Sequence, residues 1–175
     1  KNLSFLIESY IESMIHEKNI KLVILGKFNE NASSEMSINL IKNFNSQINN
    51  SKSQFGNSII TTGYIDDEEK TNLYLNSLAM VNPSLIEGLG LSTLDSACLG
   101  LPSIISDCDS HKELSNLFDF SDYLTLKDVL SKQNWINALI EMVDQNKYRY
   151  PIEDLRQVSV IKKIIISRIE RYLSY

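Results

Sequence analysis

Residues 78–106 read LAMVNPSLIEGLGLSTLDSACLGLPSIIS, and this stretch decides the fold. Leu78 to Asn82 is a short apolar run closed by Pro83, the pattern of a strand. Gly88 and Gly90 flank one residue just before a helical segment, Leu91 to Leu99, which Gly100 closes as a C-cap. Pro102-Ser-Ile-Ile-Ser106 is a strand again. A strand, a glycine turn, a helix and a strand in succession point to a parallel sheet with helices packed against it.

The same alternation runs outward in both directions. Leu3, Leu6, Ile7, Tyr10, Ile11, Met14 and Ile15 recur at helical spacing, which predicts a helix over residues 3–18, ended by Asn19. Lys21 to Leu25 is an apolar run stopped by Gly26, the mark of a strand buried on both faces. Residues 33–48 return to the helical period through Met36, Leu40, Ile41, Phe44 and Ile48, and Ser58 to Thr62, with four β-branched residues, is strand up to Gly63. Asp66-Asp67-Glu68-Glu69 opens the next helix as a solvated first turn, with acids at the positive end of its dipole. Beyond Ser106 come a short helix over 111–117, a strand over 123–126, and helices over 128–146 and 152–172. The expected fold class is α/β, a Rossmann-like open parallel sheet with helices on both faces. Ligands in such sheets sit beyond the carboxyl ends of the strands, here the loops after Leu25, Thr62, Asn82 and Ser106.

Composition narrows the function. At 175 residues the chain suits a single domain. Its net charge of −5 gives no general attraction for a polyanion, so nucleic acid is not an expected partner. The longest apolar runs, such as Ile164 to Ile166, cannot span a bilayer. Lys1 leads straight into an amphipathic stretch holding Glu8 and Glu12, unlike a signal peptide. Lys1 rather than Met opens the chain, so a piece of a longer protein is the expectation. Cys98 and Cys108, with isolated His16 and His111, have no metal-type spacing; two reduced thiols and no metal are expected.

The chemistry sits in Pro83 to Asp95. Glycine lets backbone amides approach a ligand with no Cβ in the way, and the helix behind adds unpaired N–H groups and a positive dipole end. Together these suit a phosphate. Glu87 enters the turn and Asp95 lies eight residues on. A carboxylate accepts hydrogen bonds from adjacent hydroxyls, so an acid at each side of a phosphate cradle fits a sugar–diphosphate–ribose ligand. On spacing alone Asp95 also reads as a surface acid on a first helical turn. Glu87, between Ile86 and Gly88, lacks an obvious structural purpose.

Residues 83–107, PSLIEGLGLSTLDSACLGLPSIISD, resemble the signature of GT-B glycosyltransferases of family 4, in which two glutamates bracket seven residues. KNLSFLIESY resembles the family's first helix after its diphosphate-binding lysine, KLVILG its second strand, TGYI the strand and loop beside the base, and SDCDSHKEL the loop and helix after the fifth strand. The likeness runs to about residue 145. It implies the C-terminal, donor-binding half of a retaining enzyme that moves a sugar from a nucleotide-sugar, UDP-linked by family weight, to a glycan or lipid-linked acceptor. Glu87 would contact donor-sugar hydroxyls; Gly88, Leu89, Gly90 and Leu91, with Ser92 and Thr93, would hold sugar and diphosphate. Asp95 would take the ribose, Tyr64 and Ile65 would border the base, and Lys1 would meet the diphosphate. No cofactor and no metal are implied, since the donor is a substrate.

Two departures from that pattern stand out. Asp95 replaces the usual glutamate, shorter by about 1.5 Å. The family's first strand, with a glycine and an arginine for the diphosphate, and its N-terminal acceptor domain would both precede Lys1, so this piece is expected to be inactive alone. The Asn-, Ile- and Lys-rich composition hints at an AT-rich bacterial genome, where such enzymes often build surface polysaccharide, which suggests a cytoplasmic setting with the whole enzyme at the inner face of the cell membrane. Two alternatives remain open at this stage: a nucleotide-sugar epimerase or phosphorylase of the same fold, and a scaffold module that binds without turnover. A dinucleotide oxidoreductase is disfavoured, as no GxGxxG follows the first available strand. The apolar stripe of helix 152–172 packs on its own sheet or on a partner domain.

Overall fold

The computed structural model describes residues 1–26, 55–118 and 124–145, with residues 42, 45, 46, 49 and 50. The helix expected over 33–48 lies mostly, and that over 152–172 wholly, outside them. The described elements are α1 (Leu3–Glu12), β1 (Leu22–Ile24), β2 (Ile59–Thr61), α2 (Asp67–Leu75), β3 (Met80–Asn82), α3 (Leu91–Cys98), β4 (Ser103–Ser106), α4 (Asp109–Phe118), β5 (Leu124–Lys127) and α5 (Lys132–Asp144).

Two sequence expectations change in detail, at α1 and before α2, and a third, the Gly100 cap, holds. α1 stops six residues short of Lys18 because Met14 takes φ +57, and a 3-10 turn, Ile15–Lys18, follows. Ser13 helps the exit by donating its hydroxyl to the Tyr10 carbonyl at 2.7 Å. The acids before α2 are more than a solvated turn. Asp66 caps the helix by accepting from the Glu69 amide at 2.8 Å, and Glu69 accepts from the Asp66 amide at 3.2 Å, a reciprocal capping box. At the end of α3, Gly100 takes φ +63, and the amides of Gly100 and Leu101 reach the carbonyls of Ala97 and Ser96. That is a Schellman closure, which satisfies carbonyls the helix cannot.

Every pairing among the described strands is parallel. β1 pairs with β2, Leu22 opposite Ile59, and β4 lies between β3 and β5, Ile104 opposite Val81 and Thr125. Side chains alternate across a strand, so adjacent Ile104 and Ile105 face opposite sides and belong to different cores. Ile104 joins Ile7 and Tyr10 of α1, Ile24, Ile59, and Trp135 and Leu139 of α5. Ile105 joins Tyr74 of α2, Ala97 of α3, Met80, Leu101 and Leu124. Helices therefore cover both faces. Trp135 is fully buried, its indole N–H donates to the Asp128 carbonyl at 3.1 Å, and its ring meets Phe5 edge-on at 5.7 Å.

The sheet is divided where a continuous one was expected. β1 with β2, and β3 with β4 and β5, are separate sheets. Between them lies a slot of about 600 Å³, lined by every residue of β1 and of β3 and by none of β2 or β5. The unpaired edges of β1 and β3 thus face each other across it. This is also why only Ile24 of β1 is fully buried, against the doubly buried strand its composition suggested.

Candidate functional site

The glycine turn leaves the carboxyl end of β3 and is open to solvent, with Leu85, Leu91 and Ile86 exposed, the last at 89%. Gly90 is the residue that makes it. Its φ is +66, and a Cβ there would lie 3.0 Å from Leu114 Cδ1 and 3.3 Å from His111 Cδ2. Only glycine fits without strain. Gly90 is also the N-cap of α3, its carbonyl accepting from the Leu94 amide at 2.9 Å, and no side chain caps this end. The amides of Leu91, Ser92 and Thr93 lack intrahelical acceptors by helix geometry and sit at the positive end of the dipole. Gly88 differs, having no positive φ and nothing within 4 Å of where a Cβ would be. Half-buried Leu89 lies between the two.

Glu87 has many partners. One carboxylate oxygen, Oε1, accepts from Ser84 Oγ at 2.8 Å and from Asn82 Nδ2 at 3.4 Å, and it pairs with the Lys1 ammonium. Its backbone carbonyl accepts from Ser110 Oγ at 2.6 Å, which ties the turn to α4. Burial alone would raise this carboxyl, but the hydrogen bonds from Lys1 and Ser84, with the Lys1 charge, outweigh it and hold Glu87 below its ordinary range. Behind Glu87 lies a buried polar cluster. Asn82 Oδ1 lies 2.7 Å from Ser84 Oγ and shares that hydroxyl's one proton with Glu87; Asn82 Nδ2 is 3.3 Å from both Thr93 Oγ1 and His111 Nε2; and Ser106 Oγ donates to the Ser84 carbonyl at 2.5 Å.

Thr93 is fully buried with its hydroxyl in this cluster, so it is not exposed to hold the donor as the sequence suggested, and the Ser92 hydroxyl is hydrogen-bonded to Tyr74. Asp95, on α3, receives Lys70 of α2 at 2.9 Å, and the two stay partly exposed. That hydrogen bond, against a smaller burial effect, raises the Lys70 ammonium. Burial, with the Asp95 charge beside it, pushes the Cys98 thiol up to about 11, which makes it a poor nucleophile at neutral pH.

Tyr64, 85% exposed, and half-buried Ile65 follow β2. A bridge from the Gly26 amide to the Gly63 carbonyl, 3.2 Å, sets their loop beside the one leaving β1. The chain then enters α2, which carries Lys70 to Asp95. Two of the residues named from sequence, Lys1 and Glu87, are thus in contact; of the turn, Gly88 and Leu91 are exposed, Leu89 and Ser92 half-buried, and Gly90 and Thr93 buried. The sequence reading missed Asn82, Ser84, His111, Ser106 and Lys70. For the first two a signal was present, since polar residues around Pro83 at the end of an apolar strand have no core to join.

Among the described residues, no group of three or more His, Cys, Asp and Glu gathers, and no helix is long and apolar enough to cross a membrane. A family model described as glycosyl transferases group 1 matches residues 1–144 of the chain. Among curated proteins none matches.

Proposed function

This chain belongs to the glycosyl transferases group 1 family, and from that premise we propose that it is the donor-binding part of a larger retaining enzyme using a UDP-sugar. The observation that carries the reading is the left-handed turn at Gly90, which starts α3 without a side-chain cap three residues after a Glu87 carboxylate held by Lys1, Ser84 and Asn82. The amides take the diphosphate. Glu87 takes hydroxyls of the sugar, and the Lys1 ammonium, well exposed, swings from Glu87 to the departing phosphate. Charge grows on that phosphate as the glycosidic bond breaks, and fixed amide dipoles and a cation stabilise it most in a closed, dry site. Retention follows from attack on the face the diphosphate leaves, the phosphate accepting the acceptor's proton. The acceptor, a glycan or a lipid-linked sugar, belongs to a second domain, and cytoplasmic polysaccharide synthesis at the membrane is the setting this chemistry suits.

Asp95 accepts the ribose hydroxyls while keeping Lys70, which makes up for its short reach by completing the rim of that subsite. Asp95→Ala should weaken UDP by about 10-fold, worth about 1.4 kcal/mol, and Lys70→Met by less than about threefold, both by calorimetric titration. Equal losses in the two variants would mean that Asp95 serves only the ion pair. In that event the second reading, a binding module without turnover, gains, because its ribose acid is already spoken for.

The slot between β1 and β3 is the place for one more parallel strand, which the family resemblance puts upstream of Lys1. Two or three buried aliphatic side chains on it would contribute about 1.5–3 kcal/mol each. A chain extended upstream to include that strand should melt at least about 10 °C higher than residues 1–175. An unchanged melting temperature would remove the strand from the slot.

A further inference from the structure

His111 lies on the first turn of α4, fully buried beneath the glycine turn, with its Cδ2 edge against Gly90. Nδ1 is 3.0 Å from the Ser106 carbonyl and 3.0 Å from Ser106 Oγ, whose own proton goes to the Ser84 carbonyl. Nε2 is 3.3 Å from Asn82 Nδ2 and 3.2 Å from Thr93 Oγ1. The Asn82 amide is oriented by its other end, where Oδ1 accepts from the Ser84 backbone amide at 3.3 Å, a donor only, and shares the Ser84 hydroxyl proton with Glu87. Its NH2 group, a donor only, therefore faces Nε2 and Glu87 Oε1. The donor–acceptor pattern leaves one tautomer: Nδ1–H donates to the Ser106 carbonyl, and Nε2 accepts from Asn82 and Thr93.

We propose that His111 is a positioning residue for sugar transfer: neutral, with its proton on Nδ1, it fixes the Asn82 amide that aims the Glu87 carboxylate at the donor sugar. A second proton on Nε2 would set two donors facing each other across 3.3 Å. The new N–H would turn to Thr93 Oγ1, 3.2 Å away, and the Asn82 amide would lose its acceptor on the ring and be held only by Thr93 and Glu87. Only the neutral ring accepts from the Asn82 amide and so helps hold it against Glu87.

The surroundings favour the neutral state at neutral pH. Burial pulls the His111 imidazole below its ordinary range, opposed by the hydrogen bond to the Ser106 carbonyl and the nearby Glu87 charge, while Lys1 works with burial. β3 and β4 bring no charged residue against it; Asp95 of α3 is paired with Lys70; and on its own helix Lys112 reaches back to Asp107 at 3.6 Å, with Asp109 and Glu113 alongside. Because the neutral ring is the productive one, kcat should be level at neutral pH and fall as acid protonates His111. Donor binding by the α3 amides should depend on it far less.

This inference rests on the role given to Glu87 above, and one experiment separates the two. kcat and donor KM would be measured from pH 4.5 to 8 on the full-length enzyme and on three variants of it. His111→Gln keeps an acceptor for Asn82 but cannot titrate, so it should retain transfer within about fivefold and lose the acid limb. His111→Phe should lower kcat by about 10- to 50-fold, on the scale of other positioning effects, with donor KM changed less than about threefold. Glu87→Gln serves as the reference. If Glu87→Gln loses transfer while His111→Gln keeps the wild-type acid limb, the proposal for His111 fails alone. If Glu87→Gln is fully active, the reading of Glu87 fails first. Should His111→Phe not fold, the His111→Gln profile and the imidazole 15N shifts decide, since Nε2–H rather than Nδ1–H in the neutral protein also overturns the proposal.

Discussion

Glu87→Ala in the full-length enzyme should lower kcat for sugar transfer by about 100- to 1000-fold, the scale of losing one preorganised polar group at a reacting centre. UDP affinity should change by less than about threefold. The split follows from what the residue touches. Its carboxylate is held on the side of the turn that faces Lys1, Ser84 and Asn82, whereas the amides proposed for the diphosphate belong to the turn and α3. Removing the side chain leaves those amides in place, because Ser110 still binds the residue 87 carbonyl and Gly90 still caps α3. A steady-state assay with a UDP-sugar, beside a UDP titration, checks both halves. Equal loss of UDP binding in Glu87→Ala and Asp95→Ala would end the division of labour between the two acids.

Gly90→Val should be as damaging by another route. A β-branched residue at φ +66 carries backbone strain of about 1–2 kcal/mol. Its Cβ would also press on Leu114 and His111 at 3.0 and 3.3 Å, an overpacking cost of about 1–3 kcal/mol. Together these should lower the melting temperature by about 5–15 °C. The turn would relax by moving the start of α3, and losing two amide bonds to a diphosphate, each worth about 1.5–3 kcal/mol, weakens UDP by 100-fold or more. Gly88→Ala is the control. With open space and no positive φ at Gly88, stability should stay within about 0.5 kcal/mol, so any loss of UDP there reports closeness to the ligand. Thermal melts and calorimetry on the pair decide between strain and contact.

Much of this was legible in the residue order. The alternation of apolar runs with helical periods located all five described strands and all five described helices, to within a few residues except at the ends of α1 and α5. α1 ran long in the reading because Ile15 stays buried and keeps the period through the turn, and periodicity cannot register the left-handed Met14. Gly88, Gly90, Glu87 and Asp95 were visible because glycine next to an acid at the mouth of a strand has few structural uses. Their partners were not. Lys70 meets Asp95 across 25 residues and His111 meets Asn82 across 29, so no local spacing links them. A lone histidine looked idle for the same reason; its role comes from four segments that only the parallel sheet brings to one end. The divided sheet was equally hidden, since nothing in Leu22 to Ile24 tells which neighbour, if any, takes its second edge.

The most direct test is a titration of UDP into this chain followed by backbone amide NMR. Saturable shifts concentrated at Gly88, Gly90, Leu91, Ser92 and Thr93, with a smaller response at Tyr64 and Asp95, are the expected result. Silence across residues 86–93 at several millimolar UDP, or shifts confined to the slot between β1 and β3, would contradict a diphosphate cradle at the Gly90 turn.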